Sequence, residues 1–231
     1  HHLTNRRQRQ MCIRDRGEIG ASFDGDADRL IMVDENGDIV NGDLILTILS
    51  KYLSEVNQLT NNIVVSTVMS NYGFKQAIEK FNFDLIETPV GDKYVAEAMK
   101  KYDAALGGEQ SGHIIISDLL PVGDGLVTLI YVLKAMQHFG VALSDFKREH
   151  LYEYPQKLTN LELKNKLNDE ELEYINQIAL DMSIKKDLDG RYLIRNSGTE
   201  PLLRVLVEAK SNEAMEDFSN ELITKINKYL N

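Results

Sequence analysis

Asp24, Asp26 and Asp28 alternate with Gly25 and Ala27 in the run Phe23-Asp24-Gly25-Asp26-Ala27-Asp28-Arg29. Alternation on one bent loop turns three carboxylates toward a common point. Anions that close repel one another unless a hard cation sits among them, and an all-oxygen set suits Mg²⁺ or Ca²⁺ rather than a soft metal. The plain alternative is a solvated acidic turn. Against it, the loop ends in Arg29 and runs straight into the apolar stretch Leu30-Ile31-Met32-Val33. An EF-hand matches at Asp24, Asp26, Asp28 and Glu35, but Arg29 occupies the position where that loop needs glycine. A strand-like run also follows where a calcium loop should still be winding toward a helix.

Two other loops carry polar groups at useful spacing. In Gly108-Glu109-Gln110-Ser111-Gly112-His113 the glycines permit close backbone approach. Glu109, Ser111 and His113 offer an acceptor, a hydroxyl and a titratable ring, a mixture suited to sugar hydroxyls; a tight polar turn with a structural histidine is the alternative. In Arg195-Asn196-Ser197-Gly198-Thr199-Glu200-Pro201 the small residues can turn N–H groups and hydroxyls toward one anion, with Arg195 and Arg204 as planar forks for phosphate. An ordinary turn ended by Pro201 is its alternative. Asp92 is expected to cap a helix, with Lys93 beside it as a candidate to face a ligand. Gly123-Asp124-Gly125 reads only as a helix start, and His138 and His150 as surface or packing residues.

The elements that must position these loops follow from apolar periodicity. Residues 19–23 and 30–33 read as strands flanking the Asp loop, with 38–40 extending the hairpin beyond a turn at 34–37. A helix capped by Asp43 is expected over 44–56. Strands at 63–68, 83–88, 104–106 and 114–117 then alternate with helices at 72–81 and 93–102, followed by a long, mostly buried helix to Gly140. That rhythm predicts a doubly wound α/β module, whose ligands sit in loops at the carboxyl ends of the strands. A boundary is expected near 150–154. Beyond it, strands at 154–161, 191–195 and 203–209, with helices from about 169 and over 212–230, predict a small α+β domain.

Composition narrows the partners. A formal net charge of −10 argues against nucleic acid and anionic membrane, while a small phosphorylated ligand remains compatible. No apolar run reaches the roughly 20 residues of a membrane span. Cys12 is the only cysteine, so no intramolecular disulfide forms and a reducing cytoplasm is the expected home. Residues 1–16 hold that cysteine and an arginine cluster without periodicity. They are expected to be a non-native leader.

Taken in order, Asp-Gly-Asp-x-Asp-Arg, Gly-Glu-x-Ser-Gly-His and Arg-x-Ser-Gly-Thr-Glu-Pro resemble the loops of the α-D-phosphohexomutase family. The segments Ser66-Thr67-Val68-Met69-Ser70-Asn71 and Val90-Gly91-Asp92-Lys93-Tyr94-Val95, together with Gln110, look most like its bacterial amino-sugar branch. The resemblance runs from about residue 17 to the C-terminus. It implies the end of a second domain over 17–42, a third α/β domain over 43–150 and a C-terminal α+β phosphate-binding domain over 151–231.

It also implies Mg²⁺ held by Asp24, Asp26 and Asp28, with Arg29 stabilising the moving phosphoryl group and His113 or Lys93 assisting proton transfer. Glu109, Ser111 and His113 would bind the sugar, and Arg195, Ser197, Gly198, Thr199 and Arg204 the phosphate. The implied reaction interconverts glucosamine 6-phosphate and glucosamine 1-phosphate through an enzyme phosphoserine and a bisphosphate, toward UDP-N-acetylglucosamine and cell-wall precursors. The alternatives are a glucose or mannose phosphate as substrate, or a sugar-phosphate binding fragment without chemistry. Ala27 stands where the family usually has glycine, and Leu120-Pro121-Val122 is less polar than expected. No serine loop of the family type is visible, so the expectation is a fragment lacking its N-terminal domains, binding metal weakly and inactive alone. For the full-length parent, a homodimer is the oligomeric state to test.

Overall fold

The computed structural model describes residues 19–198 and 200–230. The expected leader, with Cys12, and Thr199 of the third loop lie outside them. The chain divides into two compact units, one running to Tyr152 and one beginning at Glu153.

The first unit starts with an antiparallel sheet of β1 (Gly20–Phe23), β2 (Leu30–Val33) and β3 (Ile39–Val40). Asp34 makes the turn after β2 by accepting the backbone N–H groups of Asn36 and Asp38 at 2.9 Å each. Helix α1 (Gly42–Glu55) is apolar nearly all round, with Leu44, Ile45, Leu46, Ile48 and Leu49 at most 1% exposed. A helix of that composition has to be central. Its N-cap is Asn41, which accepts the Leu44 N–H at 3.1 Å, and not Asp43 as the sequence suggests. Asp43 lies two residues further on, within the first turn, and is buried.

A mixed sheet follows, in the order β5 (Asp84–Thr88), β4 (Ile63–Thr67), β6 (Leu106–Gly108), β7 (Ile114–Ile116). The first three strands are parallel, and β7 runs antiparallel to β6. Helices α2 (Tyr72–Lys80) and α3 (Asp92–Tyr102) connect the parallel strands. Strand alternation sends Val64, Leu106, Ile114 and Ile116 into the core around α1, and Val65 and Ile115 into a second core with Val95 and Met99 of α3. Both faces are therefore covered, as a parallel sheet requires. Helix α4 (Gly125–Phe139) is less buried than its hydropathy predicts: Thr128, Val132 and Ala135 face the core while Leu126, Ile130 and Leu133 are exposed. A short helix, α5 (Leu143–His150), precedes the expected boundary, in a stretch where sequence periodicity predicts no element. Its eight residues are too few to show a clear period. Among the described residues no single helix is long and apolar enough to cross a membrane.

The second unit orders its antiparallel strands β8 (Gln156–Glu162), β10 (Leu202–Ala209), β9 (Gly190–Asn196). Leu203, Val205 and Val207, alternate residues of β10, face α6 (Asp169–Lys186) and α7 (Asn212–Leu230). Those helices answer with Ile175, Ala179 and Met182, and with Met215, Phe218, Leu222 and Ile226. A reciprocal capping box between Asn168 and Glu171 starts α6.

Candidate active site

Residues 24–29 close the β1–β2 hairpin, whose last register pair is Phe23 with Leu30. The loop folds on itself: the Ala27 N–H donates to the Asp24 carbonyl at 3.4 Å and the Arg29 N–H to Asp24 Oδ1 at 3.3 Å. The bend requires φ +60° at Ala27, a left-handed conformation that costs an L-residue about 1 kcal/mol and glycine nothing. One carboxylate oxygen from each of Asp24, Asp26 and Asp28 then falls within 4.8 Å of the others. The Asp28 pKa is raised from its ordinary value by burial, by a hydrogen bond with Asp24 and by the negative charges of Asp24 and Asp26, with His113 acting the other way. Its Oδ1 is buried without a hydrogen-bond partner. A crowded set of hard oxygen donors with one acceptor unused fits a hard divalent cation such as Mg²⁺.

Glu109 to His113 turn the chain between β6 and β7. The turn is closed by the Glu109 N–H donating to the His113 carbonyl at 3.0 Å and the Gly112 N–H to the Glu109 carbonyl at 2.9 Å. The Glu109 side chain is 8% exposed and fixed at both oxygens: Oε1 accepts the Gly91 N–H at 3.0 Å and Oε2 the Ser111 hydroxyl at 3.2 Å.

This turn is laid directly against the Asp loop. The Leu30 N–H donates to the Gly112 carbonyl at 3.0 Å, Arg29 and His113 form a β-bridge, and His113 Nε2 lies 3.5 Å from Asp28 Oδ2. Gly112 has φ +94°, and a Cβ there would stand 2.1 Å from the Leu30 carbonyl oxygen. Backbone approaches backbone, and only glycine fits.

His113 is 5% exposed, its Nδ1 buried and unpartnered. Its ring is packed by Gly123, whose absent Cβ would lie 2.4 Å from Nε2. The ring therefore sits buried beside Asp28. Arg29 is half exposed, with Nε 3.9 Å from Asp24 Oδ2, and keeps its fork available. Lys93 is exposed in the first turn of α3, its ammonium 3.8 Å from Glu97 on the same helix. Asp92 does not cap α3. The N-cap is Gly91, and Asp92 Oδ1 accepts the Lys93 N–H at 2.8 Å.

In the second unit, Arg195 and Arg204 stand directly opposite on β9 and β10. Burial first, and then the charge of Arg204, lower the Arg195 pKa. Two like charges across a ladder destabilise it unless an anion intervenes. Arg204 Nε is buried without a partner, as is the hydroxyl of Ser197, a residue 2% exposed at the mouth of the same loop. Among the described residues no atom lies within 4 Å of the place a Cβ of Gly198 would take. An anion at this loop would meet donors that protein atoms leave unused.

Residues 41–154 match the family model described as phosphoglucomutase/phosphomannomutase, alpha/beta/alpha domain III, and residues 158–225 the model of the C-terminal domain of the same proteins. The chain belongs to the phosphoglucomutase/phosphomannomutase family. It spans about half the length of the curated relatives it matches. Over 216 residues it is 48% identical to a phosphoglucosamine mutase of Streptococcus agalactiae, covering 92% of this chain and 48% of that protein. A phosphoglucosamine mutase of Bacillus pumilus is 45% identical over 207 residues, covering 89% and 46%. Among solved structures, a phosphoglucomutase/phosphomannomutase family protein of Burkholderia thailandensis superposes with TM-score 0.76 at 22% identity, over 99% of this chain and 52% of that one. The Aspergillus fumigatus N-acetylphosphoglucosamine mutase in complex with GlcNAc-6P and magnesium gives 0.73 at 22% identity, over 91% and 52%. The fold is thus a phosphohexomutase α/β domain followed by the family's C-terminal domain.

Several residues at these loops escape a reading of side-chain chemistry. Gly125 donates its N–H to the Ala27 carbonyl at 2.9 Å, and a Cβ on it would meet Phe23 and the Arg29 carbonyl below 3.0 Å. The Gly123-Asp124-Gly125 helix start therefore also seats the Asp loop and His113. Lys166 donates to the Gly198 carbonyl at 2.5 Å, and the Asn196 amide holds both backbone groups of Leu167. The only signal in the sequence was the pairing of glycines around Asp124; nothing marked Lys166 or Asn196.

Proposed function

We propose that these residues belong to an enzyme that interconverts glucosamine 6-phosphate and glucosamine 1-phosphate. An enzyme phosphoserine transfers its phosphoryl group to O1 of glucosamine 6-phosphate; the O1 hydroxyl gives up its proton and the serine oxygen gains one. The resulting 1,6-bisphosphate returns its 6-phosphoryl group to the serine, whose hydroxyl gives up its proton as O6 gains one, and leaves as glucosamine 1-phosphate. Because the chain spans half the length of its relatives, the reaction is that of the enzyme at their full length. The 231-residue chain alone is expected to bind cation and phosphate weakly without turnover. The proposal carries residues 17–42 as the end of the second domain, 43–150 as the third and 151–231 as the fourth, in a cytoplasmic enzyme feeding cell-wall precursor synthesis.

One observation carries the reading: the carboxylate loop and the polar turn are built against each other, His113 Nε2 3.5 Å from Asp28 Oδ2. Asp24, Asp26 and Asp28 would hold Mg²⁺, which when bound neutralises charge on a phosphoryl group. Arg29 would stabilise charge on the transferring oxygens. Glu109, fixed by Gly91 and Ser111, presents carboxylate oxygens in place to accept sugar hydroxyls. His113 keeps Asp28 oriented. Arg195, Ser197, Gly198, Thr199 and Arg204 would grip the phosphate that is not reacting, so that either end of the bisphosphate can be presented. The relatives named phosphoglucosamine mutase support the amino sugar.

The test is a coupled assay of the enzyme at the full length of its relatives, with glucosamine, glucose and mannose 6-phosphates and Mg²⁺. The expected result is a kcat/KM for the amino sugar at least tenfold above the other two. Equal or better use of glucose or mannose 6-phosphate would move the assignment to a phosphoglucomutase or phosphomannomutase. Absence of turnover with all three would remove the mutase reading.

A further inference from the structure

Asp43 is 1% exposed, and the functional reading gives it no role. Its Oδ2 accepts the Asn71 N–H at 2.8 Å and the Gln110 side-chain amide at 3.0 Å. Asn71 belongs to the loop that follows β4, and Gln110 to the turn that follows β6. The neighbouring Gly42 donates its N–H to the Gln110 carbonyl at 3.0 Å. A Cβ on Gly42 would stand 1.9 Å from the Glu109 carbonyl oxygen, so the first turn of α1 is pressed against that turn. Gln110 is thereby held at side chain and backbone by two consecutive residues of the most buried helix in the unit. From Gln110 the constraint passes one residue in either direction, to Glu109 with its carboxylate on Gly91 and to Ser111 on Glu109.

We infer that Asp43 is a positioning residue for the sugar-binding turn, acting through Gln110, and this rests on the functional reading above. The chemistry explains the choice of side chain. An ionised carboxylate is all acceptor, and here one oxygen faces two N–H donors. Asparagine can turn its amide oxygen to the same two donors and keep both bonds, so the substitution that removes them is alanine. A buried donor left unsatisfied is costly, and the turn relaxes to relieve it. The two donors that Asp43 holds belong to Asn71 and to the sugar-binding turn, so its loss should weaken sugar binding rather than the chemical step.

Two measurements test this. In the 231-residue chain, Asp43→Ala is expected to speed amide hydrogen exchange at Asn71, Glu109 and Gly112 at least tenfold and leave the strand amides of β4 and β10 unchanged. In the full-length enzyme, Asp43→Ala is expected to raise KM for glucosamine 6-phosphate about tenfold with kcat within threefold, and Asp43→Asn, which can keep both bonds, to restore KM to within threefold. Gln110→Leu should behave alike, and the double variant should be no worse than the poorer single one, because the two side chains act as one unit. A merely structural aspartate would lower the melting temperature and the active fraction with KM unchanged. That outcome, or additive effects of the two substitutions, overturns the inference. If exchange accelerates as expected but the unsubstituted enzyme turns over no hexose phosphate, the positioning role stands and the mutase reading fails.

Discussion

The Asp loop and the arginine pair are electrostatic opposites with one thing in common. Asp24, Asp26 and Asp28 bring three anionic groups within 4.8 Å, while Arg195 and Arg204 place two cations opposite each other on adjacent strands. Each is unfavourable by itself and each leaves a buried polar atom unused: Asp28 Oδ1 in one, Arg204 Nε in the other. They differ in how the repulsion is borne. The carboxylates ride on a six-residue loop steadied from outside by Gly112, Gly123 and Gly125. The arginines ride on the strands themselves, where ladder hydrogen bonds fix the spacing whether or not a ligand is present. A cation site of this kind depends on its neighbours, whereas an anion site of the other kind is built into the sheet.

Breaking the neighbours should therefore have the largest effect. Gly42→Ala would drive a methyl into the Glu109 carbonyl, 1.9 Å away, where no side chain can yield. The expected loss is about 3 kcal/mol of stability, read by urea denaturation, with the metal response lost alongside. In the second unit, Arg204→Met should reduce affinity for glucosamine 6-phosphate by roughly 10–100-fold, as expected for removing a charge-assisted contact. Calorimetry checks it, and ligand-free stability should change by less than about 1 kcal/mol, because Arg195 loses its opposing charge while Glu200 loses its ion pair 3.7 Å away.

A change of sign sharpens the contrast. Without divalent ions, Asp28→Asn should leave stability unchanged or raise it by no more than about 1 kcal/mol, since it relieves repulsion at a partly exposed site. With saturating Mg²⁺ the same variant should melt below the unsubstituted chain, because it forgoes the stabilisation by binding.

Away from both sites, His150 packs between Phe81 and Phe146, and burial lowers its pKa below 6.5. A depressed histidine is neutral when folded, so the unfolded chain binds more protons as pH falls. Stability is complete above the unfolded value and is lost as pH drops through the folded one. Melting temperatures from pH 7.5 down to 5 should fall further for the unsubstituted chain than for His150→Phe. The smallest effect is expected at Ala27→Gly, where relief of the φ +60° strain and the added freedom of the unfolded chain offset each other to within about 0.5 kcal/mol.

The sequence disclosed the loops far better than it disclosed what holds them. Apolar alternation at Val64-Val65 and Ile114-Ile115-Ile116 and the helical stripes of α2 and α7 are local, and each predicts its own element. The three loops were visible because Asp, Glu, His and Arg announce chemistry by residue type. What escaped depends on pairs distant in the chain. Asp43 reads as an ordinary helix cap until Asn71 and Gln110 arrive from other loops. Gly123 reads as a helix start until the His113 ring is seen filling the place of its side chain.

The most direct measurement is a Mn²⁺ titration of the 231-residue chain by electron paramagnetic resonance, with and without Asp26→Asn. A single site, displaced by Mg²⁺ and weakened at least tenfold by the substitution, is the expected result. Binding that the substitution leaves untouched, or no saturable binding at all, would contradict a cation held by Asp24, Asp26 and Asp28.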